Sequence, residues 1–175
     1  GADGVLLQAE VNRENLFGSG RELKFKIEQS SVEQVYEVAY TNPYFTKDGV
    51  SLGYFVDYKN VDTAKTTSAD YESSSSVFGV RTKIPVSEYN SLILSVGYEQ
   101  LDLEGTKTTP TEFSSFITDH PNSQNLILSG GITKDTRDSI FFPQKGYLRR
   151  ALFAFTGPGS DLEYYKVTLR GRWYR

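Results

Sequence analysis

Residues 50–59 carry the pattern that decides the fold: Val-Ser-Leu-Gly-Tyr-Phe-Val-Asp-Tyr-Lys. The apolar and aromatic side chains of this stretch fall on alternate positions, which are Val50, Leu52, Tyr54, Val56 and Tyr58. The residues between them are small or charged, and Phe55 is the exception. Because successive side chains of a strand point to opposite faces, this period of two predicts a strand with one apolar face and one polar face.

The same alternation recurs along the whole chain. Leu92, Leu94, Val96 and Tyr98 repeat it, as do Tyr165, Val167 and Leu169 near the end. We predict about nine strands, over residues 5–12, 21–29, 33–42, 50–59, 73–84, 91–102, 125–135, 146–156 and 162–174. Several exceed the ~5–6 residues usual in globular proteins and approach the ~9–11 that a tilted strand needs to cross a bilayer. No segment shows a convincing helical period, so the sequence predicts an all-β, antiparallel, up-and-down fold.

The composition narrows the classes of function. A net charge of −3 over 175 residues disfavours a nucleic-acid-binding surface, which is normally basic. The absence of cysteine, with His120 as the one histidine, excludes a disulfide framework and a Cys- or His-based zinc site. No segment matches a P-loop, a nucleophile elbow or a dinucleotide fingerprint. We therefore expect no catalytic residue, no cofactor and no metal, and hence no enzyme.

Hydropathy leaves one kind of membrane protein open. The mean hydropathy is −0.43 and no apolar run reaches 18 residues, which excludes a membrane-spanning helix. Barrel strands alternate in polarity, however, so a membrane barrel keeps a low mean hydropathy. A chain that begins at Gly1 and contains no methionine is also expected to be part of something longer.

The predicted connections differ between the two ends of such a sheet. Counted from the first strand, the odd-numbered connections are compact and rich in turn residues, whereas residues 60–72 and 104–124 form two long polar connections at the opposite end. Outer-membrane barrels show this asymmetry, with short periplasmic turns and longer extracellular loops, although a soluble meander can also show it. Aromatic residues in or beside the compact turns suit a membrane–water interface: Phe17, Tyr44, Phe45, Tyr89, Phe141 and Phe142. They also suit the end of a sandwich core.

Residues 41–53 and four further segments of the chain resemble motifs of the BamA family, the outer-membrane protein assembly factors of Gram-negative bacteria. The most characteristic is residues 41–53, Thr-Asn-Pro-Tyr-Phe-Thr-Lys-Asp-Gly-Val-Ser-Leu-Gly. Residues 15–20, 88–92, 135–146 and 158–169 match further family segments in the same order, so the resemblance covers nearly the whole chain. It implies a portion of a transmembrane barrel in the bacterial outer membrane. Members insert and fold other outer-membrane proteins without nucleotide or metal, so the resemblance also implies a non-enzymatic function.

The family's barrel has 16 antiparallel strands behind a set of periplasmic POTRA domains. By the order of its motifs, the chain corresponds to about the second to the tenth strand. We therefore expect residues 1–175 to be a partial barrel domain, without the POTRA domains, the first strand and the C-terminal strands. The partners implied are outer-membrane lipid, accessory lipoproteins, unfolded outer-membrane protein clients, and missing barrel strands or another chain at the sheet edges. Nucleic acid is not among them.

The resemblance and the alternation together assign residues to three places. Structural residues of periplasmic turns are expected to be Asn42, Pro43, Tyr44, Phe45, Asp48, Gly49, Asp135, Arg137, Asp138, Phe142, Pro143 and Gly146. Lipid-facing residues are expected to be Leu52, Tyr54, Val56, Leu92, Leu94, Val96, Val167 and Leu169. Lumen-facing residues are expected to be Glu22, Lys24, Lys26, Glu28, Lys166 and Arg170. An arginine between two aspartates can suggest acid–base chemistry, but a structural ion pair that fixes a turn is the preferred interpretation.

Other classes stay open at this point. One is a soluble lipocalin-like or sandwich binding protein, in which the apolar face would pack into a core around a ligand. The other is a different outer-membrane barrel, such as a porin, a TamA-like protein or a two-partner-secretion translocator. In a soluble protein Leu94 and its neighbours on the same face would point into a packed core, whereas in a membrane barrel they would point outward to lipid. Residues 42–53 argue against a porin.

Overall fold

The computed structural model describes residues 5–62, 71–105, 109, 111–139 and 142–175. Strand is the dominant element, and the strands are β1 (Leu7–Arg13), β2 (Glu22–Gln29), β3 (Glu33–Asn42), β4 (Ser51–Asp62), β5 (Tyr71–Pro85), β6 (Asn90–Gly105), β7 (Asn122–Asp135), β8 (Gly146–Thr156) and β9 (Tyr165–Tyr174). A 3-10 turn covers Leu16–Gly18, and one α-helix, α1, covers Thr111–Asp119.

The strands form one nine-stranded sheet in the order β1-β2-β3-β4-β5-β6-β7-β8-β9. Every neighbouring pair is antiparallel, so each strand pairs with the strands that precede and follow it along the chain. This confirms the predicted all-β, up-and-down architecture with nine strands. β5 and β6 are the longest, with 15 and 16 residues, and each exceeds the length that a tilted strand needs to cross a bilayer.

Helix α1 corrects the prediction that the chain contains no helix. It lies in the long connection between β6 and β7, where Ile117 is buried and packs near Gly105 at the end of β6. The Phe116 ring lies 5.1 Å from the His120 ring, which places His120 in an aromatic contact. Nine residues make a period of 3.6 hard to detect in a sequence, and isolated helices of this length are marginal. Within the described residues, no helix is long and apolar enough to span a membrane.

The register aligns apolar side chains into rows across the sheet. One row runs Val11, Phe25, Val38, Val56, Phe78 and Tyr98. The next row towards the compact turns runs Tyr54, Val80, Val96, Leu128 and Phe155. We call this side the apolar face and the opposite side the polar face. Ile117 is the one buried hydrophobic residue within the described part of the chain, so the apolar rows do not pack into a core there.

Phe55 breaks the alternation and lies on the polar face for a packing reason. A Cβ added to Gly79 would come within 2.6 Å of Phe55 Cζ, and one added to Gly97 within 3.7 Å of the same atom. The ring therefore occupies the space that these two glycines leave open on neighbouring strands. The Arg81 guanidinium lies 4.6 Å from the ring centroid, a distance at which a cation–π contact forms.

Candidate membrane-facing surface and compact-turn rim

The residues predicted to face lipid all lie on the apolar face. Register places Leu52, Leu94 and Val167 in one row, Tyr54 and Val96 in the adjacent row, and Leu92 and Leu169 in a third; Val56 lies one row further from the compact turns. Six of these eight residues are exposed, among them Val96 (50%) and Leu169 (75%), whereas Leu52 and Leu92 are half-buried. Exposed contiguous apolar surfaces of this extent are typical of a protein or membrane contact.

The apolar face forms a band of limited height. On β6 it runs from Leu92 to Tyr98, and the paired residues of β7 run from Ile132 to Leu126. Those six residue steps correspond to roughly 20 Å along a strand and, at a tilt of about 40°, to roughly 16 Å along a membrane normal. Polar Gln100 and Asn90 bound the band at its two ends. The apolar band of a typical outer-membrane barrel is about 25 Å tall, so the band is short on β6 and β7.

The residues predicted to face the lumen lie on the polar face. Lys24 contacts Glu10 at 3.6 Å and Glu37 at 3.5 Å, and Lys26 contacts Glu28 at 3.0 Å and Glu37 at 3.7 Å. Register places Glu22 on the same face of β2, and Lys166 and Arg170 on that face of β9. The ion-pair network joins β1, β2 and β3. Sequence reasoning missed Glu37, the acid that both lysines share.

The compact turn between β3 and β4 is held by its own polar groups. The Asn42 carboxamide oxygen accepts a hydrogen bond from the Tyr44 amide at 3.3 Å, and Gly49 adopts a φ of +80°, which glycine accommodates without strain. The Val50 amide donates to the Thr46 hydroxyl at 3.3 Å. Thr46 lies in the predicted compact turn but is not among the structural residues expected there. Pro43 and Asp48 lie in the same turn, and Asp48 makes no side-chain hydrogen bond within the described part of the chain.

The turn between β7 and β8 contains a bidentate ion pair. Arg137 donates to the two Asp135 carboxylate oxygens, from Nε at 2.8 Å and from a terminal guanidinium nitrogen at 2.7 Å. The Arg137 side chain is only 14% exposed, and its contact with the carboxylate raises the guanidinium pKa above its usual value. Bidentate pairs of this kind add geometric specificity as well as energy, so the pair fixes the direction in which the chain leaves β7.

Asp138 has a different part in the same turn. Its Oδ1 accepts hydrogen bonds from the amides of Lys145 and Gln144, at 3.2 and 2.9 Å. These amides hold the pKa of the Asp138 carboxyl below its usual value, because they stabilise the charged form. Gly146 closes the turn with a φ of +105°, and a Cβ there would collide with the Thr136 carbonyl oxygen. Pro143 is half-buried nearby.

Aromatic side chains project from the rim formed by the four compact turns, which we call the compact-turn rim. The exposed ones are Phe17 (90%), Tyr44 (76%), Phe45 (58%), Tyr89 (48%) and Phe142 (84%). Phe141 lies outside the described residues. Rings concentrated at one level of a sheet are typical of the aromatic belts of membrane proteins, where an apolar body and a polar tip meet two environments.

A polar cluster at the opposite rim was missed by sequence reasoning. The Glu99 carboxylate accepts hydrogen bonds from the Tyr164 hydroxyl at 2.9 Å, the Asn125 carboxamide at 3.2 Å and the Ser75 hydroxyl at 3.0 Å. Burial and the bond to Glu99 raise the pKa of the Tyr164 phenol. These residues come from three strands and from the connection between β8 and β9. No sequence spacing links them, because only the sheet register brings them together.

Long antiparallel strands with exposed apolar rows, a polar opposite face and aromatic compact turns define a portion of a transmembrane outer-membrane β-barrel. A family model described as the Omp85 superfamily domain matches residues 15–175. The chain belongs to the Omp85 superfamily. It is also 30% identical to the outer membrane protein assembly factor BamA of Neisseria meningitidis serogroup B over 98% of its own length.

A solved structure agrees with this assignment. The chain superimposes with a TM-score of 0.77 and 26% identity on the crystal structure of BamA from Haemophilus ducreyi lacking POTRA domains 1–3, over 96% of its length. It spans 23% of the Neisseria protein and 36% of the Haemophilus chain. The resemblance to BamA and the location in the bacterial outer membrane are confirmed. Neither the soluble binding protein nor the other barrel classes receive support.

Proposed function

We propose that this chain is a part of the barrel domain of an outer-membrane protein assembly factor, without bond-making chemistry of its own. The observation that carries the proposal is the identity with the Neisseria assembly factor along almost the whole chain. Within the described residues no group of three histidines or acids could hold a metal, and the polar residues described above hold turns and ion pairs. The activity proposed is therefore physical: insertion and folding of unfolded outer-membrane proteins.

The short apolar band supplies a mechanism. A hydrophobic surface shorter than the hydrocarbon thickness thins the adjacent bilayer, and about 16 Å is well below the ~30 Å of a typical hydrocarbon core. In this proposal the predicted lipid-facing residues contact hydrocarbon, the predicted lumen-facing residues line an aqueous interior, and the compact-turn rim lies in the periplasm. A client strand then enters a thinned region, where fewer of its backbone groups lack a hydrogen-bond partner in hydrocarbon.

The sheet edges carry the second part of the proposal. β1 and β9 are the two edge strands of the described sheet, and an exposed edge is a template for pairing with another strand. We assign to these edges further barrel strands or another chain, and we assign accessory lipoproteins and client proteins as partners of the whole assembly. No observation favours a second function over this one.

The test changes the height of the band. Ser76 and Gln100 are paired, exposed and located one row beyond Phe78 and Tyr98. The protein at its natural length, reconstituted in phospholipid vesicles, is expected to accelerate folding of an unfolded outer-membrane protein relative to empty vesicles. The variant Ser76→Leu with Gln100→Leu extends the band by roughly 5 Å and is expected to reduce that acceleration.

The matched control, Ser76→Thr with Gln100→Asn, keeps both positions polar and is expected to preserve the acceleration. Folding of the client is followed by its change in gel mobility without heating. Equal rates in empty and protein-containing vesicles would contradict the assembly function. Equal acceleration by the leucine variant and the control would contradict the thinning mechanism alone.

A further inference from the structure

We propose that the apolar face carries a binding site for an anionic phospholipid where β7, β8 and β9 approach the compact-turn rim. This inference rests on the proposed membrane orientation of the apolar face and adds a ligand to it. The site is a groove of about 520 Å³ whose lining includes Lys134, Arg149, Ile132, Leu169 and Gly171.

Register shows that the groove opens on the apolar face. Two adjacent rows of that face border it, one with Asn90, Lys134, Arg149 and Gly171, the other with Ile132, Ala151 and Leu169. Thr133, Arg150 and Arg170 lie between these rows and point to the opposite face, so their backbone forms the floor. The polar-face rows beyond them take no part in the lining.

Two cations converge at the rim end of this groove. The Arg149 guanidinium lies 4.5 Å from the centroid of the Tyr147 ring and 5.4 Å from that of Trp173, and Lys134 Nζ lies 5.8 Å from the Tyr147 ring. Both side chains are exposed. Within the described part of the chain neither has an acidic group within 4.0 Å. Two like charges around one ring repel each other, and an anion between them removes that repulsion.

The charges of the apolar face also favour an anion at the compact-turn rim. Its strand cations are at the compact-turn rim: Arg13, Lys134 and Arg149. Its strand acids are at the opposite rim: Asp62, Glu72, Asp102 and Glu104. An anionic headgroup is therefore attracted to one rim and repelled from the other. Arginine and lysine bind phosphate oxygens by charge-assisted hydrogen bonds, which identifies the headgroup chemistry.

The remainder of the groove suits an acyl chain. Ile132 is 63% exposed and Leu169 is 75% exposed on the midplane side of the cations. Ala151 and Gly171 line the groove without a side chain larger than a methyl group, so they leave room in it. Tyr147 and Trp173, whose ring centroids are 5.6 Å apart, lie one row nearer the rim. Aromatic belts mark headgroup depth in membranes. The phosphate would therefore lie beside the two cations at headgroup depth, and the acyl chain would lie beside the apolar residues nearer the midplane.

The experiment measures lipid binding to the natural-length protein by native mass spectrometry, with phosphatidylglycerol and phosphatidylcholine titrated separately. Each basic side chain near an anionic lipid surface contributes about five-fold to association. The variant Lys134→Gln with Arg149→Gln is therefore expected to raise the apparent Kd of the first phosphatidylglycerol about 25-fold and to leave phosphatidylcholine binding unchanged. Gly171→Val, which fills the groove without changing charge, is expected to weaken phosphatidylglycerol binding as well.

The matched control is Lys166→Gln with Arg172→Gln, which removes two positive charges from the polar face of β9 and is expected to leave both affinities unchanged. Equal weakening by the control variant, or no weakening by the Lys134 and Arg149 variant, would overturn the site. Displacement of the lipid by equimolar inorganic phosphate would also overturn it, because the acyl chain would then contribute nothing. Client folding is measured on the same variants, so loss of lipid selectivity with intact client folding separates this inference from the proposed function.

Discussion

Replacement of Leu94 by arginine tests where the apolar face points. Leu94 is the second of the four apolar residues Leu92, Leu94, Val96 and Tyr98 along β6, and it is 41% exposed. It therefore lies beside the centre of the band. Arginine on the lipid face of a barrel costs about 2–4 kcal/mol at the bilayer midplane and about 0–1 kcal/mol near the interfaces. We expect Leu94→Arg to cost about 3 kcal/mol and Leu92→Arg, nearer the rim, about 1 kcal/mol.

The assay is equilibrium unfolding by denaturant in phospholipid vesicles, with the protein at its natural length. The control is Thr168→Arg, on the polar face of β9, for which we expect a change within about 0.5 kcal/mol. A cost near zero for Leu94→Arg would show that this position faces water and would refute the membrane orientation. Equal costs for Leu92→Arg and Leu94→Arg would refute the assigned depth.

Three further predictions concern packing and turns. Gly79→Ala is expected to destabilise the protein by about 1–3 kcal/mol, because its Cβ would lie 2.5 Å from the Val96 carbonyl oxygen and 2.6 Å from Phe55 Cζ. Denaturant midpoints measure this, and Gly171→Ala, in open space, is the control expected to change little. Arg137→Ala is expected to cost about 1–2 kcal/mol through loss of the bidentate pair with Asp135, and full stability of that variant in thermal unfolding would contradict the pair's role. The pKa of the Asp138 carboxyl is lowered in the fold, so its contribution is complete above the ordinary value of about 3.9 and is lost as the pH falls through the lower, folded value. Protection of the Lys145 amide against hydrogen exchange should decrease in that acidic range, whereas Asp138→Asn should lack this pH dependence.

The sequence predicts the strands well because their pattern is local and repeated. Residues 50–59 alternate at every position except Phe55, and β4 (Ser51–Asp62) forms there; alternating residues likewise form β6 and β9. Alternation also identifies which residues share a face, since a strand has only two. Leu94 and Lys26 could therefore be assigned to opposite faces before the sheet was known.

Features that depend on contacts between distant residues escaped sequence reasoning. Glu37 joins Lys24 and Lys26 only because β2 and β3 pair in one register, and Glu99 meets Tyr164 across 65 positions of the chain. Helix α1 is short, and its buried residue Ile117 depends on the end of β6 for its contact. The groove beside Lys134 and Arg149 likewise requires three strands, so no single segment reveals it.

Two singly labelled proteins, one with a spin label at position 94 and one with a spin label at position 95, test most directly whether the apolar face contacts hydrocarbon. These neighbours lie on opposite faces of β6, and the collision rate of each label with dissolved oxygen, which concentrates in lipid, is compared with that of a water-soluble nickel complex. The membrane orientation predicts frequent oxygen collisions at position 94 and infrequent ones at position 95. Equal oxygen collision rates at the two positions, or frequent nickel collisions at position 94, would contradict it.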